Sequence, residues 1–284
     1  MNGVTSVAAG DELGEGPFWD VRTARLSWVD ILTGRLRTTG DPAPVTVTSP
    51  LAFAIPRRDG GHVLGVGRDV VVRDPEGGLR TLAHLDGDAR ADRLNDAACD
   101  AAGRLWAGTM SSRREPGVAA LYRIEPDGRV DCVLDGLTIS NGLDWSPDGT
   151  VMYHIDSPAQ RVDRYPFDAG TGRLGDRRTF AAIPAEDGLP DGLTVDAEGG
   201  VWVALFGGGA VRRYRADGTL DRVVPLPVSC PTSVAFGGAT LRDLFVTSSR
   251  HKLDDAGRRA EPLAGNLFRL RPGPQGLPKP RFAG

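Results

Sequence analysis

Apolar residues along this chain come in short runs that alternate with polar ones and stop at clusters of Asp, Gly, Pro and Asn. That is the period-two pattern of brief strands joined by tight turns. The clearest unit is Ser140-Asn141-Gly142-Leu143-Asp144-Trp145, the turn Ser146-Pro147-Asp148-Gly149, and the apolar run Thr150 to Ile155. It reads as a polar lead residue, a strand, a Pro-Asp-Gly turn and a second strand. Variants recur from Gly14-Glu15-Gly16-Pro17-Phe18-Trp19-Asp20, Phe53-Ala54-Ile55, Leu94-Asn95-Asp96-Ala97-Ala98-Cys99-Asp100, Pro190-Asp191-Gly192-Leu193-Thr194-Val195-Asp196 and Pro231-Thr232-Ser233-Val234-Ala235-Phe236.

After most of these pairs a third strand is expected, as in Ala120–Ile124, Arg161–Tyr165 and Ala210–Tyr214, and then a fourth, as in Arg129–Val133 or Leu220–Val224. Four short strands repeating about every 40–50 residues describe propeller blades. Six repeats predict an all-β, six-bladed β-propeller forming one domain over residues 1–284. Val4–Val7 is placed to close the ring beside Asn266–Leu270, which removes an exposed sheet edge. A pair of β-sandwiches is the rival architecture, and repeat regularity disfavours it. Asp88–Ala102 has the Ala and Arg content of a helix, but its repeat phase predicts a loop followed by a strand. The Pro-rich segment Pro272–Pro280 reads as a surface strap.

Composition sharpens this in three ways. Gly (38) and Pro (21) are abundant enough to punctuate strands throughout. The net charge of −3 offers no basic field for nucleic acid. The three cysteines, Cys99, Cys132 and Cys230, lack metal-site spacing and pairing number, which fits a reducing compartment. With no basic-then-apolar leader and no long apolar run, the expectation is a soluble cytoplasmic protein, monomeric or weakly oligomeric, that engages no membrane.

Repeat phase supplies the chemistry. Five positions before the turn residues Asp20, Asp100, Ser146 and Asp196 stand Glu15, Asn95, Asn141 and Asp191; Phe53 and Pro231 hold that phase in the other two repeats. Equivalent positions in successive blades lie on a ring around the axis, so four side-chain oxygens are aimed at one channel mouth. Two carboxylates and two amides make a hard donor set, suited to Ca²⁺, Mg²⁺ or Mn²⁺. Without a cation, Glu15 and Asp191 would repel each other. Taken singly, Asn141-Gly142 and Pro190-Asp191 also read as turns, Glu15 as a solvated loop charge and Asn95 as a helix cap; their shared phase favours a site. The four histidines share no phase, His154 is expected to pack within a blade, and Trp19, Trp28, Trp106, Trp145 and Trp202 are expected between blades.

At Leu13–Asp20 (LGEGPFWD), Arg93–Met110 (RLNDAACDAAGRLWAGTM), Ile139–Gly149 (ISNGLDWSPDG) and Leu189–Ala204 (LPDGLTVDAEGGVWVA) the chain resembles the senescence marker protein (regucalcin), gluconolactonase and luciferin-regenerating enzyme family. The resemblance implies one divalent metal cation in the channel held by Glu15, Asn141 and Asp191. Calcium is favoured, and zinc, magnesium, manganese and iron(II) are conceivable. It also implies Asn95 nearby, Arg93 on substrate oxygens, and hydrolysis of a sugar lactone; Asp191 is expected to act as general base toward the attacking water. An organophosphate or phosphotriester hydrolase and a non-catalytic calcium-binding regulator are the alternatives. Some members of the family place acidic residues after Gly108-Thr109-Met110; here Ser111-Ser112-Arg113-Arg114 follows. Arg113 is therefore expected to contact the substrate and to favour one with an extra carboxylate or phosphate.

Overall fold

The computed structural model describes residues 4–284. Six antiparallel sheets surround a channel, each beginning with its innermost strand: Gly14–Asp20, Leu51–Pro56, Arg93–Cys99, Ser140–Trp145, Leu189–Val195 and Pro231–Gly237. Each innermost strand packs against those of both neighbouring blades, so the ring is closed. Thr5–Val7 pairs with Leu267–Leu270 and supplies the outer strand of the sixth blade, so both ends of the chain build one sheet. Asp88–Ala102 forms a loop leading into the strand Arg93–Cys99, because the repeat outweighs local helix propensity. No helix among the described residues is long and apolar enough to cross a membrane.

Burial follows position within the blade. Ser140–Trp145 and Pro231–Gly237 are buried throughout, while the outer strand Leu220–Pro225 is mostly exposed. The hydrophobic clusters lie between blades. Trp106, Trp145 and Phe167 meet edge to face or tilted between the third and fourth blades, Trp202 meets Phe236 between the fifth and sixth, and Trp19 stacks on Phe245 between the sixth and first. Aromatic pairs of this kind add about 0.5–1.5 kcal/mol each beyond area burial, so they favour one relative placement of adjacent blades.

One irregularity repeats in every blade. The innermost strand carries one more residue than its partner near its start: Glu15 to Phe18 faces Val29 to Ser27, and Leu94 to Ala97, Ser140 to Leu143, Pro190 to Leu193 and Pro231 to Val234 do the same. Leu51 to Phe53 is the shorter version. A bulge re-aims side chains that a regular ladder would alternate between faces. Asn95, Asn141 and Asp191 lie inside it, and Glu15 at its edge.

The segment Pro272–Pro280 corrects the expectation of a surface strap. Pro274 and Gly276 are buried, Gly276 bridges to Asp196, and Lys279 reaches Asp144. Beyond it Phe282 is fully buried in the cluster of the second and third blades, worth about 1.5–3 kcal/mol for such a side chain. The tail therefore crosses the end of the channel remote from the strand starts. Left open, that end would expose the apolar surface of Phe18, Phe53 and Leu143.

Candidate functional site

The bulges bring Glu15, Arg93, Asn95, Asn141 and Asp191 to one pocket of about 530 Å³, open solvent at its mouth included. The Asn-Gly and Asp-Gly pairs here are not hairpin turns. A Cβ on Gly142 would lie 2.4 Å from the Leu193 backbone nitrogen, and one on Gly192 would lie 2.2 Å from the Ser233 hydroxyl. These glycines let innermost strands converge near the axis, which is what packs their polar side chains together.

The side chains are held with few protein partners. Asn141 donates from Nδ2 to the Ser157 hydroxyl at 3.0 Å, leaving Oδ1 as the end free to coordinate. Glu15 accepts a hydrogen bond from the Gly16 N–H at 3.1 Å. Burial, then Asp191, then Asp96 push the Glu15 carboxyl well above the ordinary carboxylate range. Burial and then Asp96 do the same to Asp191, against a smaller opposing pull from Asn141, Arg93 and Arg114. Arg93 donates to the Leu94 carbonyl and to Asn95 Oδ1, both at 2.9 Å, while Asn95 Nδ2 donates to the Ser140 carbonyl at 3.0 Å. Asn95 is thus a brace between Arg93 and the fourth blade, with both ends of its amide engaged.

Among the described residues no ammonium or guanidinium lies within 4.0 Å of the Glu15 or Asp191 carboxyl, and two such carboxylates with an amide oxygen form an environment that a hard divalent cation fits. Among the described residues no trio of His, Cys, Asp and Glu converges, so the donor set depends on Asn141. The one imidazole of the pocket, His251, bonds through Nδ1 to the Ser249 hydroxyl at 2.8 Å. Burial, helped by Lys252, Arg114 and Arg93, lowers its pKa and favours the neutral ring.

Arg113 is not among the pocket's lining residues; Arg114 is. Arg114 has a left-handed backbone (φ +56°), and its N–H donates to the Ser111 carbonyl at 2.8 Å. That turn carries Arg113 out to solvent and brings the next guanidinium to the pocket. Met110, Ser157, Phe206 and His251 also line it, and repeat counting on the first strands missed them. They lie at or just beyond the ends of second strands, opposite first-strand starts, as Arg93 faces Met110 and Leu189 faces Phe206. Antiparallel pairing makes those ends share a face, a signal available from the repeat itself.

Deeper in the channel a second cavity of about 620 Å³ is lined chiefly by residues further along the same strands, with Lys279 and Pro280 from the tail. Its walls include Asp96, whose carboxyl burial pushes up to about 6.

These features define a class: a six-bladed propeller whose channel mouth gathers side-chain oxygens from separate blades. Residues 13–250 match the SMP-30/Gluconolactonase/LRE-like region, and the chain belongs to that family. Regucalcin of Xenopus laevis is 35% identical over 286 residues, covering 96% of this chain and 95% of that protein. Among solved structures, a luciferin-regenerating enzyme is 29% identical with a TM-score of 0.92 over 99% of both chains. A regucalcin of Agrobacterium tumefaciens, described as a calcium-binding protein, is 31% identical with a TM-score of 0.91 over 97% of this chain and 95% of its own.

Proposed function

We propose that this protein is a metal-dependent hydrolase that opens sugar lactones to aldonic acids. The observation that carries this reading is the meeting of Glu15, Asn141 and Asp191 with a braced guanidinium, Arg93, in one pocket. Glu15, Asn141 and Asp191 would hold the cation, with calcium the first candidate because the Agrobacterium relative is described as binding it. Zinc, magnesium, manganese and iron(II) draw on overlapping ligand chemistry. Bound there, such a cation supplies Lewis-acid polarisation of the lactone carbonyl.

The chain's own residues do the rest. Arg93 donates to substrate oxygens from a position fixed by Asn95 and the Leu94 carbonyl, which limits the freedom lost when the lactone docks. Asp191 removes a proton from the attacking water and returns it to the ring oxygen as the carbon–oxygen bond breaks. Leu13, Ile139, Leu189 and Phe206 form apolar wall around these groups and limit water.

A non-catalytic calcium-binding role is the second reading, favoured by the regucalcin relatives. Against it stands the Arg93–Asn95 brace, since a cation store has no use for a guanidinium beside its ligands. The test is proton release from a panel of sugar lactones, with and without chelator. Chelator-sensitive turnover supports the lactonase; calcium binding without turnover selects the regulator, and turnover confined to phosphotriesters selects an organophosphate hydrolase.

A further inference from the structure

We propose that the lactone taken by this site carries a second anionic group, a carboxylate or a phosphate, at the end remote from the ring carbonyl, and that Arg114 receives it. This rests on the lactonase reading and adds the substrate's charge to it.

The argument begins with the loop after Met110. Ser112 donates from its N–H and hydroxyl to Asp92 Oδ1 at 2.8 and 3.0 Å, and Arg113 N–H donates to the Ser111 hydroxyl at 3.2 Å. The turn closes with Arg114 in the left-handed region, which a residue with a Cβ occupies only at a cost. A loop so braced holds the Arg114 backbone beside the pocket and its side chain on the exposed rim. The nearby acids are engaged elsewhere, Asp92 with Ser112 and Glu115 facing Arg90 at 3.7 Å. Among the described residues, no carboxylate lies within 4.0 Å of the Arg114 guanidinium, unlike many of the other arginines.

The rim around it is positive. Arg93 shares the pocket, and each of these arginines weighs against a proton on His251, as does Lys252. Burial, the largest influence, and the charge of Arg114 both lower the Arg93 pKa, against the pull of Glu15, Asp92 and Asp191. With Glu15 and Asp191 committed to a cation and Asp92 acting on Arg93, the positive charge of Arg114 is left without a carboxylate partner. A neutral lactone does nothing for that surplus. One with a terminal anion satisfies it, and the exposed rim position of Arg114 puts the anion at the solvent end.

The test compares kcat/KM for gluconolactone, glucarolactone and phosphogluconolactone with calcium or manganese present. The parent should prefer at least one anionic lactone by on the order of ten- to a hundredfold, as expected for a charge-assisted contact. The preferred arm separates carboxylate from phosphate. Arg114→Gln should collapse the ratio of anionic to neutral kcat/KM towards one, chiefly through KM, while Arg113→Gln leaves the ratio in place. A parent that prefers gluconolactone, or a ratio indifferent to Arg114→Gln, overturns the proposal. Calorimetric binding of glucarate and phosphogluconate against gluconate provides a readout free of turnover. An Arg114-dependent preference there, without hydrolysis of any lactone, upholds the anion subsite and sinks the lactonase; turnover without that preference does the reverse.

Discussion

Glu15 and Asp20 stand at the two ends of one innermost strand, and Asp191 is followed at the same spacing by Asp196. At the turn end the carboxylates are surrounded by donors. Asp196 accepts from Trp202 Nε1, Arg213 Nε and the Gly200 N–H, all at 2.8 Å. Asp100 accepts from Arg104 Nε at 2.6 Å and Trp106 Nε1 at 3.0 Å. For Asp20, burial pushes the carboxyl up, but Arg281, Arg22 and Thr23 together bring it below its ordinary value. At the lead end, Glu15 has the Gly16 N–H and Asp191 the Asn141 amide. Both ends are buried, so burial does not distinguish them; supply of donors does. Completed pairing makes the turn end a clamp on the blades, and incomplete pairing leaves the lead end with carboxylate oxygens that protein groups do not engage.

The largest expected consequence is at the lead end. Asp191→Ala should lower turnover of a sugar lactone by on the order of 10³-fold or more, since on the proposed mechanism it removes both a base and a cation ligand. In chelated protein it should leave thermal stability unchanged or raised, because a buried carboxyl with few protein partners is lost. Activity within about tenfold of the parent would overturn the assignment. Asp196→Ala should do the opposite: it strands the Arg213 guanidinium and the Trp202 indole N–H, at about 3–5 kcal/mol for a broken buried pair. Denaturant unfolding measures it, and a loss below about 1 kcal/mol would show the clamp to be dispensable.

The lead residues were legible in sequence because the bulge recurs at one step of every blade, so a simple count preserved their phase. The bulge itself was hidden, and with it the fact that two successive residues turn inward. Asn95 was found and Asp96, in the deeper cavity, was not. Arg114 was missed for its neighbour Arg113 because a single left-handed φ exchanges which guanidinium meets the pocket, and Ser111-Ser112-Arg113-Arg114 gives no glycine to announce it. The tail was misread because Pro-rich composition reports an extended chain but not what it covers. The blades were plain because strand alternation and Pro-Asp-Gly turns are local, whereas these misses depend on contacts between distant segments.

Cation removal sharpens the contrast next. Glu15 and Asp191 have carboxyls raised above ordinary values of 4.5 and 3.8. The folded chelated protein therefore holds protons that the unfolded chain has released, and their contribution to stability falls as pH rises from about 4. Asp96 adds the same sign up to about 6. His62 and His154, lowered to about 4, contribute oppositely between that value and 6.5, so the parent alone does not isolate the pair. Glu15→Gln does: in chelator its stability relative to the parent should rise as pH increases from 5 to about 8. Cation at a hundredfold excess over Kd should then add about 2.7 kcal/mol to the parent, seen as a Tm increase that Glu15→Gln largely loses. A chelated pair of proteins with parallel pH profiles would count against the raised carboxyls.

The smallest effect belongs to the tail at the turn end. Arg281 pairs with Asp20 and donates to the Arg57 carbonyl at 3.2 Å, beside the buried Phe282. Arg281→Ala removes a partly screened ion pair while leaving the aromatic anchor, so the expected loss is about 1 kcal/mol, or about 2–4 °C in Tm. The sign of its pH dependence is opposite to that of the lead end. Because Arg281 helps depress the Asp20 carboxyl below 3.8, its contribution is present at neutral pH and fades as acid titrates that group in the folded state. Parent and variant melting curves should therefore converge below pH 3.8 and separate above it. Curves that stay equally spaced through that range would mean that Arg281 stabilises by packing, and that completed pairing does not govern the turn end.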